Sequence, residues 1–578
     1  MKKNVLALSI AAMIGGLGFA GAASAALVGG TSAVIPGAGV FDGATKMTTA
    51  LSTGLAVSPG GVGHALVVPY FNTQNGNMTV MHVTNTDQVN GKAVKVRFRG
   101  AANSDDVLDF QVFMSPGDVW TAAVVAGADG VSTIITSDNT CTVPALSAGV
   151  PQPFVQDRLN PNLSVADKAA QTREGYVEIF NMADIDAAQL FTVGGVPNSR
   201  SPLYTATKHV NGVAPCSVAG SAARTLLNNI AITNHTEATG SAAGLNTPTT
   251  GLMGDWYIIN VPQTTTFAGG ATAVQATGGA DANVRGNFVH FPQTGAAATL
   301  AAATDVNNVT ADPLFRTNSI RADGTAAPAT PALGILNFDL PDMSTPYYAV
   351  ASTALTQANL LTTALAVTSI TNQYANDPTI SAKTDWTFSM PTRRYNVAAN
   401  YAAITGTSAA TAANTANISY RLFTDLAAAG QAGDRFYAAV GAANVAGAGQ
   451  NPAGNTTVDA KGNICVLAQG QKFYDREETS SVSGPVFSPG AGAAAVQFCG
   501  EVSVLAFADT GTSVLGASVA RSTITSGTYV NGWGVIDTAN NALGLPIIGS
   551  AFIKLANPNT GAGVSGTYGI TWDHRFTR

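Results

Sequence analysis

From Ala65 onward the chain alternates short β-prone runs with turn residues. Ala65–Phe71 is apolar and β-prone. Asn75-Gly76 follows, then Met78–Thr86, then Asn90-Gly91, then Lys92–Arg99 and Val107–Met114. Asn-Gly between such runs predicts a tight hairpin, because both residues accept positive φ. In the third run Val94, Val96 and Phe98 alternate with Lys95, Arg97 and Arg99, a period of two that predicts one buried and one wetted face. Phe110, Val112 and Met114 repeat the pattern. Together these runs predict an antiparallel meander. Ser115-Pro116-Gly117-Asp118 turns it at a corner, and Trp120 just beyond covers one end of the core. Further strands are expected at Gly175–Phe180, Trp256–Val261, Trp386–Met390, Val502–Phe507 and Tyr568–Trp572. Helical patterning is sparse. Ala354–Tyr374 puts Ala354, Ala358, Leu361 and Leu365 on one face, and Ala222–Ile232 is a weaker second case. The expected fold class is mainly β: antiparallel β-sandwich-type domains with long small-residue loops and one or two short helices.

Stretches of small residues interrupt the strands near Thr236–Thr250, Thr264–Gly279, Thr405–Asn417 and Ala427–Asn455. They divide the chain into a Gly/Ala/Ser/Thr-rich lead-in at 26–62 that reads as flexible or extended, an N-terminal β-rich region at 63–350, and a C-terminal β-rich region at 351–578. The C-terminal region carries a low-complexity insertion near 400–460. Residues 1–25 read as a cleaved signal peptide: Lys2-Lys3, the apolar run Val5–Ile14, and the small-residue site Ala23-Ser24-Ala25. An extracellular location follows from that reading. No later run reaches the ~18 apolar residues of a membrane-spanning helix.

Composition changes the picture in one respect. Only 11% of residues are charged, against about 25% in an average soluble domain. The deficit is selective. After residue 25 there are 9 lysines and 6 glutamates but 28 aspartates, and the formal charge is −8, from 26 basic and 34 acidic residues. Such a balance excludes the basic footprint that nucleic acid requires. Lysine and glutamate lose up to ~2 kcal/mol of rotamer freedom when fixed. A surface of Ala, Gly, Thr, Ser and Asn loses far less against a neighbour, which suits many weak, ordered contacts.

The four cysteines, Cys141, Cys216, Cys465 and Cys499, suggest disulfides in an exported chain. Order along the chain suggests Cys141–Cys216 and Cys465–Cys499, with the other two pairings open. Aspartates in turns suit calcium, a cation that takes oxygen ligands. Asp105, Asp106 and Asp109 are the candidate ligands, without a recognised loop motif. Asp475, Glu477 and Glu478 around Arg476 form a second acidic cluster. Asp573-His574-Arg575 has the elements of a catalytic dyad but no marked nucleophile. Trp386 with Arg393-Arg394 is a candidate sugar or lipopolysaccharide contact, but core packing of Trp386 beside a solvated basic turn is the favoured reading. No His-Glu-x-x-His or Gly-x-Ser-x-Gly motif occurs, so no enzyme is expected and no catalytic residue is assigned.

Several stretches carry a resemblance: Leu66–Phe71 (LVVPYF), Phe113–Ala122 (FMSPGDVWTA), Gly175–Phe180 (GYVEIF), Gly251–Val261 (GLMGDWYIINV), Thr384–Arg394 (TDWTFSMPTRR), Asp475–Glu478 (DREE) and Gly566–Phe576 (GTYGITWDHRF). In this order they resemble Gram-negative cell-surface proteins, including surface-layer proteins. The resemblance implies self-assembly into a sheet over the outer membrane and no enzymatic activity. It leaves lipopolysaccharide or an outer-membrane component as the anchor. The alternative is a secreted adhesin or carbohydrate-binding surface protein.

Overall fold

A computed structural model of the chain describes residues 40–41, 47–290, 354–395, 456–477 and 496–578 with short gaps in each, and a few isolated residues between. The expected signal peptide, the stretch 405–417 and nearly all of 427–455 lie outside the described residues. The fold is mainly β, built of antiparallel sheets with five short helices among the described residues. The helices exceed the one or two expected.

The main strands are β1 (Ala65–Asn72), β2 (Asn77–Asn85), β3 (Gly91–Gly100), β4 (Asp106–Met114), β5 (Val119–Ala126), β6 (Glu174–Ile185), β7 (Leu252–Asn260), β8 (Thr265–Gly270) and β9 (Thr272–Gly278) in the N-terminal part. The largest sheet runs β9-β1-β6-β3-β4 and ends on the short strand Cys141–Val143. A second sheet runs β5-β2-β7-β8, with Ser132–Ile135 beyond β5. The expected meander is therefore wrong in its pairing. The chain passes from one sheet to the other after β1, after β2 and after β4, so of the four strands expected in the meander, β1 to β4, only β3 and β4 pair as consecutive neighbours. Asn75 and Gly76 do take positive φ, 51° and 80°, but their turn carries the chain between sheets. Asn90-Gly91 has no positive φ among the described backbone. Trp120 is fully buried and lies 5.5 Å from the Phe110 ring, across the gap between the two sheets.

The main strands of the C-terminal part are β10 (Ser369–Ala375), β11 (Lys383–Ser389), β12 (Gly470–Tyr474), β13 (Val502–Phe507), β14 (Asn531–Asp537), β15 (Ser550–Asn557) and β16 (Gly566–Asp573). They form a β13-β11-β15-β16 sheet and a β12-β14-β10 sheet. The helices are α1 (Val165–Gln171), α2 (Pro202–Thr207), α3 (Ala222–Ile232), α4 (Glu237–Ala243) and α5 (Ala354–Leu365). α3 has the expected bounds. α5 is shorter than the expected 354–374, because the β-branched residues Val367, Thr368, Ile370 and Thr371 favour sheet pairing over the helix. Two stretches read as low complexity are ordered: Glu237–Ala243 is α4, and Thr265–Gly278 makes β8 and β9. Within the expected lead-in, Gly54–Val57 adds a strand against β9.

One hydrophobic core fills the space between the two N-terminal sheets and takes in Val502, Val504, Leu515 and Phe552 from the C-terminal part. A second, smaller core around Trp386, Phe388, Phe473 and Phe507 belongs to the C-terminal part alone. The two parts are joined, not merely adjacent. Pro69 interrupts β1, because it has no N–H for the ladder, and the β1–β6 register shifts at that point. Its carbonyl instead accepts from Ser389 Oγ of the C-terminal part. Gly175 of β6 lies so close to Arg99 that a Cβ would sit 1.8 Å from the Arg99 carbonyl oxygen.

Candidate functional site

Two features stand out: an exposed apolar ribbon beside a groove, and a buried ionic seam.

The ribbon is the hairpin Leu190–Val193 and Val196–Arg200, with Val40–Phe41 paired to its other side. Its two-residue turn is Gly194-Gly195, with φ of 58° and 81°, values that only glycine adopts without strain. α2 starts directly after it. Pro202 sits in its first turn and Ser201 Oγ accepts from Tyr204 N at 2.9 Å, a sound N-terminal cap. α3 is capped in the same way by Ser221, 3.0 Å from Arg224 N, and Ser221 also donates to the Pro215 carbonyl at 3.1 Å. The disulfide Cys141–Cys216 ties this helical layer to the edge strand Cys141–Val143. Between ribbon and helices lies a groove of about 530 Å³, lined by Val193, Val196, Pro202, Pro215, Ala223 and Leu226 among others. Val40, Leu190 and Val196 are exposed on the ribbon, and Val210, Val213 and Val218 on the chain around Cys216.

The seam runs along β3. Lys95, Arg97 and Arg99, expected to face water, are all buried. The second face of the large sheet is covered, in part by the C-terminal part of the chain, so the alternation of β3 separates an apolar interior from an ionic one. Glu178 of β6 accepts from Arg99 Nε at 3.2 Å and from Arg394 Nη2 at 2.9 Å. Burial works against its charged form, and the guanidinium groups of Arg394, Arg99 and Arg97 overcome it, holding the carboxyl below its usual range. Arg393 pairs with Glu501 at 2.7 Å. Glu174 accepts from Tyr70 at 3.1 Å, Gln74 at 3.0 Å and the Ser518 backbone at 2.8 Å. The Glu501 and Val502 backbone N–H groups donate to the carbonyls of Ala102 and Ala101, at 3.1 Å each.

The candidate calcium ligands lie at one end of this seam. Asp106 pairs with Arg97 at 3.2 Å, Asp109 pairs with Lys95, and Asp105 is buried. Burial opposes the charge on Asp109, but Lys95 and Arg97 hold its carboxyl far below the usual range. A calcium ion here would have to displace Lys95 and Arg97, so the donor set as it stands fits cation side chains. Asp459 lies with Cys465 and Cys499, but those two sulfurs are bonded to each other and are not free thiolates.

Trp386, Arg393 and Arg394 are fully buried, so Trp386 packs in the core as the favoured reading has it, whereas the two arginines, expected in a solvated turn, lie in the seam. His574 is also buried. One ring nitrogen meets the Thr387 carbonyl at 2.9 Å and the other meets Asn372 Nδ2 at 2.8 Å, while Asp573 accepts from Ser550 Oγ at 3.0 Å. Both ring nitrogens are occupied, and the dyad is not assembled. Asp475 accepts from the Glu477 backbone in an exposed turn, and Glu478 lies outside the described residues. The sequence reading missed the ribbon. Its signal was Gly194-Gly195 between Leu190–Val193 and Val196, a hairpin turn by composition. Exposed aromatics were also missed: Trp533 stacks on Tyr474 at 4.3 Å, and Tyr568 and Trp572 are exposed on β16. No family model, curated protein or solved structure matches the chain.

Proposed function

We propose that this chain is an exported structural protein that self-assembles into a surface-layer lattice on an outer membrane, with lipopolysaccharide or an outer-membrane component as its anchor and no enzymatic activity. The observation that carries it is the apolar ribbon. Single exposed apolar residues are ordinary, but a grouped set beside a groove marks an interaction surface. Its occupant is a second copy of this chain. Composition supports that choice: Glu174, Glu178 and Glu501, three of the six glutamates, are buried in the seam. The exposed surface is left to short side chains that lose little entropy in repeated contacts.

The test is negative-stain electron microscopy of purified protein, with and without millimolar calcium. Ordered sheets or tubes are expected. Separate monomers under every condition would overturn the proposal. Sheets that form only with calcium would assign a role to Asp105, Asp106 and Asp109 or to another site, and sheets that survive EDTA would remove it.

The exposed Trp533, Tyr568 and Trp572 favour a second reading, an adhesin or carbohydrate-binding surface protein, since sugars stack on aromatic rings. Its test is quenching of tryptophan fluorescence by oligosaccharides, lost in Trp533→Ala.

A further inference from the structure

A separate group of buried residues lies at the opposite end of β3 from Arg99. Lys92 is directly opposite Asp184 of β6, and its side chain is fully buried. Lys92 Nζ donates to Asp184 Oδ1 at 2.7 Å, to Asp87 Oδ2 at 3.4 Å, and to Thr249 Oγ1. Asn181 Nδ2 donates to the same oxygen of Asp184 at 2.9 Å. An amine and a carboxamide on neighbouring strands thus share one carboxyl oxygen. Thr249 holds the group together: its hydroxyl donates to Asp184 Oδ2 at 2.7 Å, and its carbonyl accepts from Asn181 Nδ2 at 3.0 Å. Asn181 Oδ1 is buried without a hydrogen-bond partner, which is rare in a folded interior.

We propose that Lys92 and Asn181 react to form an intramolecular isopeptide bond. The amine of Lys92 attacks Cγ of Asn181, the Nζ–Cγ bond forms, the Cγ–Nδ2 bond breaks, and ammonia leaves. Asp184 takes the proton shed by the attacking nitrogen and delivers it to the departing one. It is placed for this because it touches both nitrogens. No oxidant or cofactor is required. Fixing nucleophile and electrophile on paired strands supplies the orientation that a free amine and amide lack. Exclusion of water protects the amide from competing hydrolysis. Burial also pushes the Asp184 carboxyl up against the pull of Lys92, which favours the protonated form that the second transfer uses.

Mass spectrometry of a tryptic digest of the purified, reduced full chain tests this directly. Trypsin does not cut after an acylated lysine. The expected product is the peptide 47–95 joined to 174–200, short by the mass of one ammonia. Unlinked 47–92 and 174–200 peptides at full mass would overturn the proposal. A link short by one water would overturn the choice of Asn181, because a carboxyl of Asp87 or Asp184 would then have reacted. Asn181→Ala and Asp184→Asn are both expected to give only unlinked peptides, and this readout works on any protein recovered, folded or not. A link that persists in Asp184→Asn would overturn the role of Asp184.

Discussion

Strand β3 and the ribbon Val196–Arg200 reverse the usual placement of residue types. β3 buries Lys95, Arg97 and Arg99, whereas the ribbon and its flank expose Val196, Leu190 and Val40. The difference lies in what covers each face. β3 sits in the middle of a sheet, with β6 and β4 on either side; its cations meet Asp106, Asp109 and Glu178 of those neighbours, and Glu178 in turn takes Arg394 from the C-terminal part. The ribbon lies outside both cores, and its valines meet a groove. A charge can therefore be interior when its partner is supplied from a distant segment, and an apolar side chain can be exterior when its partner is another molecule.

The largest expected effect breaks the seam. In Arg394→Ala, Glu178 keeps Arg99 Nε at 3.2 Å and the Tyr176 hydroxyl at 3.4 Å but loses one of its two close guanidinium partners in a buried site. Removing one partner from a buried ion pair costs about 3–5 kcal/mol. Urea unfolding is expected to show a loss of that size. A loss under about 1 kcal/mol, the scale of an exposed pair, would show that water reaches the seam and that β3 is not a buried ionic strand at all.

The replacement Cys141→Ala with Cys216→Ala acts on the other side of the comparison. The bridge spans 75 residues, and its removal is expected to cost about 2–4 kcal/mol. The loss should be local as well as global. Hydrogen exchange is expected to rise first in α2, α3 and the ribbon, because the staple joins that layer to the large sheet. Uniform exchange across the chain would mean that the groove is held by packing without the bridge.

These two regions also mark how far the sequence could be read. The β class, most strand positions, α3 and the cysteine pairing suggested by chain order were legible, because they depend on local periodicity and spacing. The pairing of strands was not. Asn75-Gly76 specifies a sharp turn, and nothing local says whether the next strand stays in the same sheet. The face of β3 bearing Lys95, Arg97 and Arg99 was misread for a similar reason. Period two distinguishes two faces but not water from a second layer, and the covering residues Arg393, Arg394 and Glu501 lie hundreds of positions away. The ionic seam left one trace: a chain poor in glutamate keeps Glu174 and Glu178 four residues apart on a β-prone run.

Buried histidines give a smaller effect. Burial lowers His64 and His574 to about 3 and His235 to about 4. Each folded value lies below the unfolded value of about 6.5. The unfolded chain therefore binds more protons between the two, and stability that is full above about pH 6.5 is lost as the pH falls toward the folded value. Asp385, pushed up to about 6 by burial, works in the opposite sense and gains stability as the pH falls through that value. Between about pH 6 and pH 4 the three histidines outweigh it. Asp184 and Glu501, also raised by burial, act in the same sense as Asp385, so the histidine contribution is read as a difference: the slope of unfolding free energy against pH across that range is expected to change in His574→Gln by up to ~1.4 kcal/mol per pH unit. An unchanged slope would place the His574 ring in contact with solvent.

The smallest effect on stability is expected from Val196→Asp, and it divides folding from assembly. Val196 is exposed on a hairpin strand outside both cores, so the substitution removes little buried area. Changes at such surface positions stay within about 0.5 kcal/mol. A second copy docking on the ribbon would nevertheless have to desolvate the new carboxylate without a partner for it, a cost of several kcal/mol per contact. Repetition multiplies that penalty across a lattice, since each subunit carries the defect. The expected outcome is a monomer with unchanged unfolding midpoint that forms no sheets under the electron microscope. Sheets that form normally would move the lattice contacts away from the ribbon. A lowered midpoint would mean that Val196 packs within its own chain, and the contrast with β3 would then dissolve into two kinds of interior.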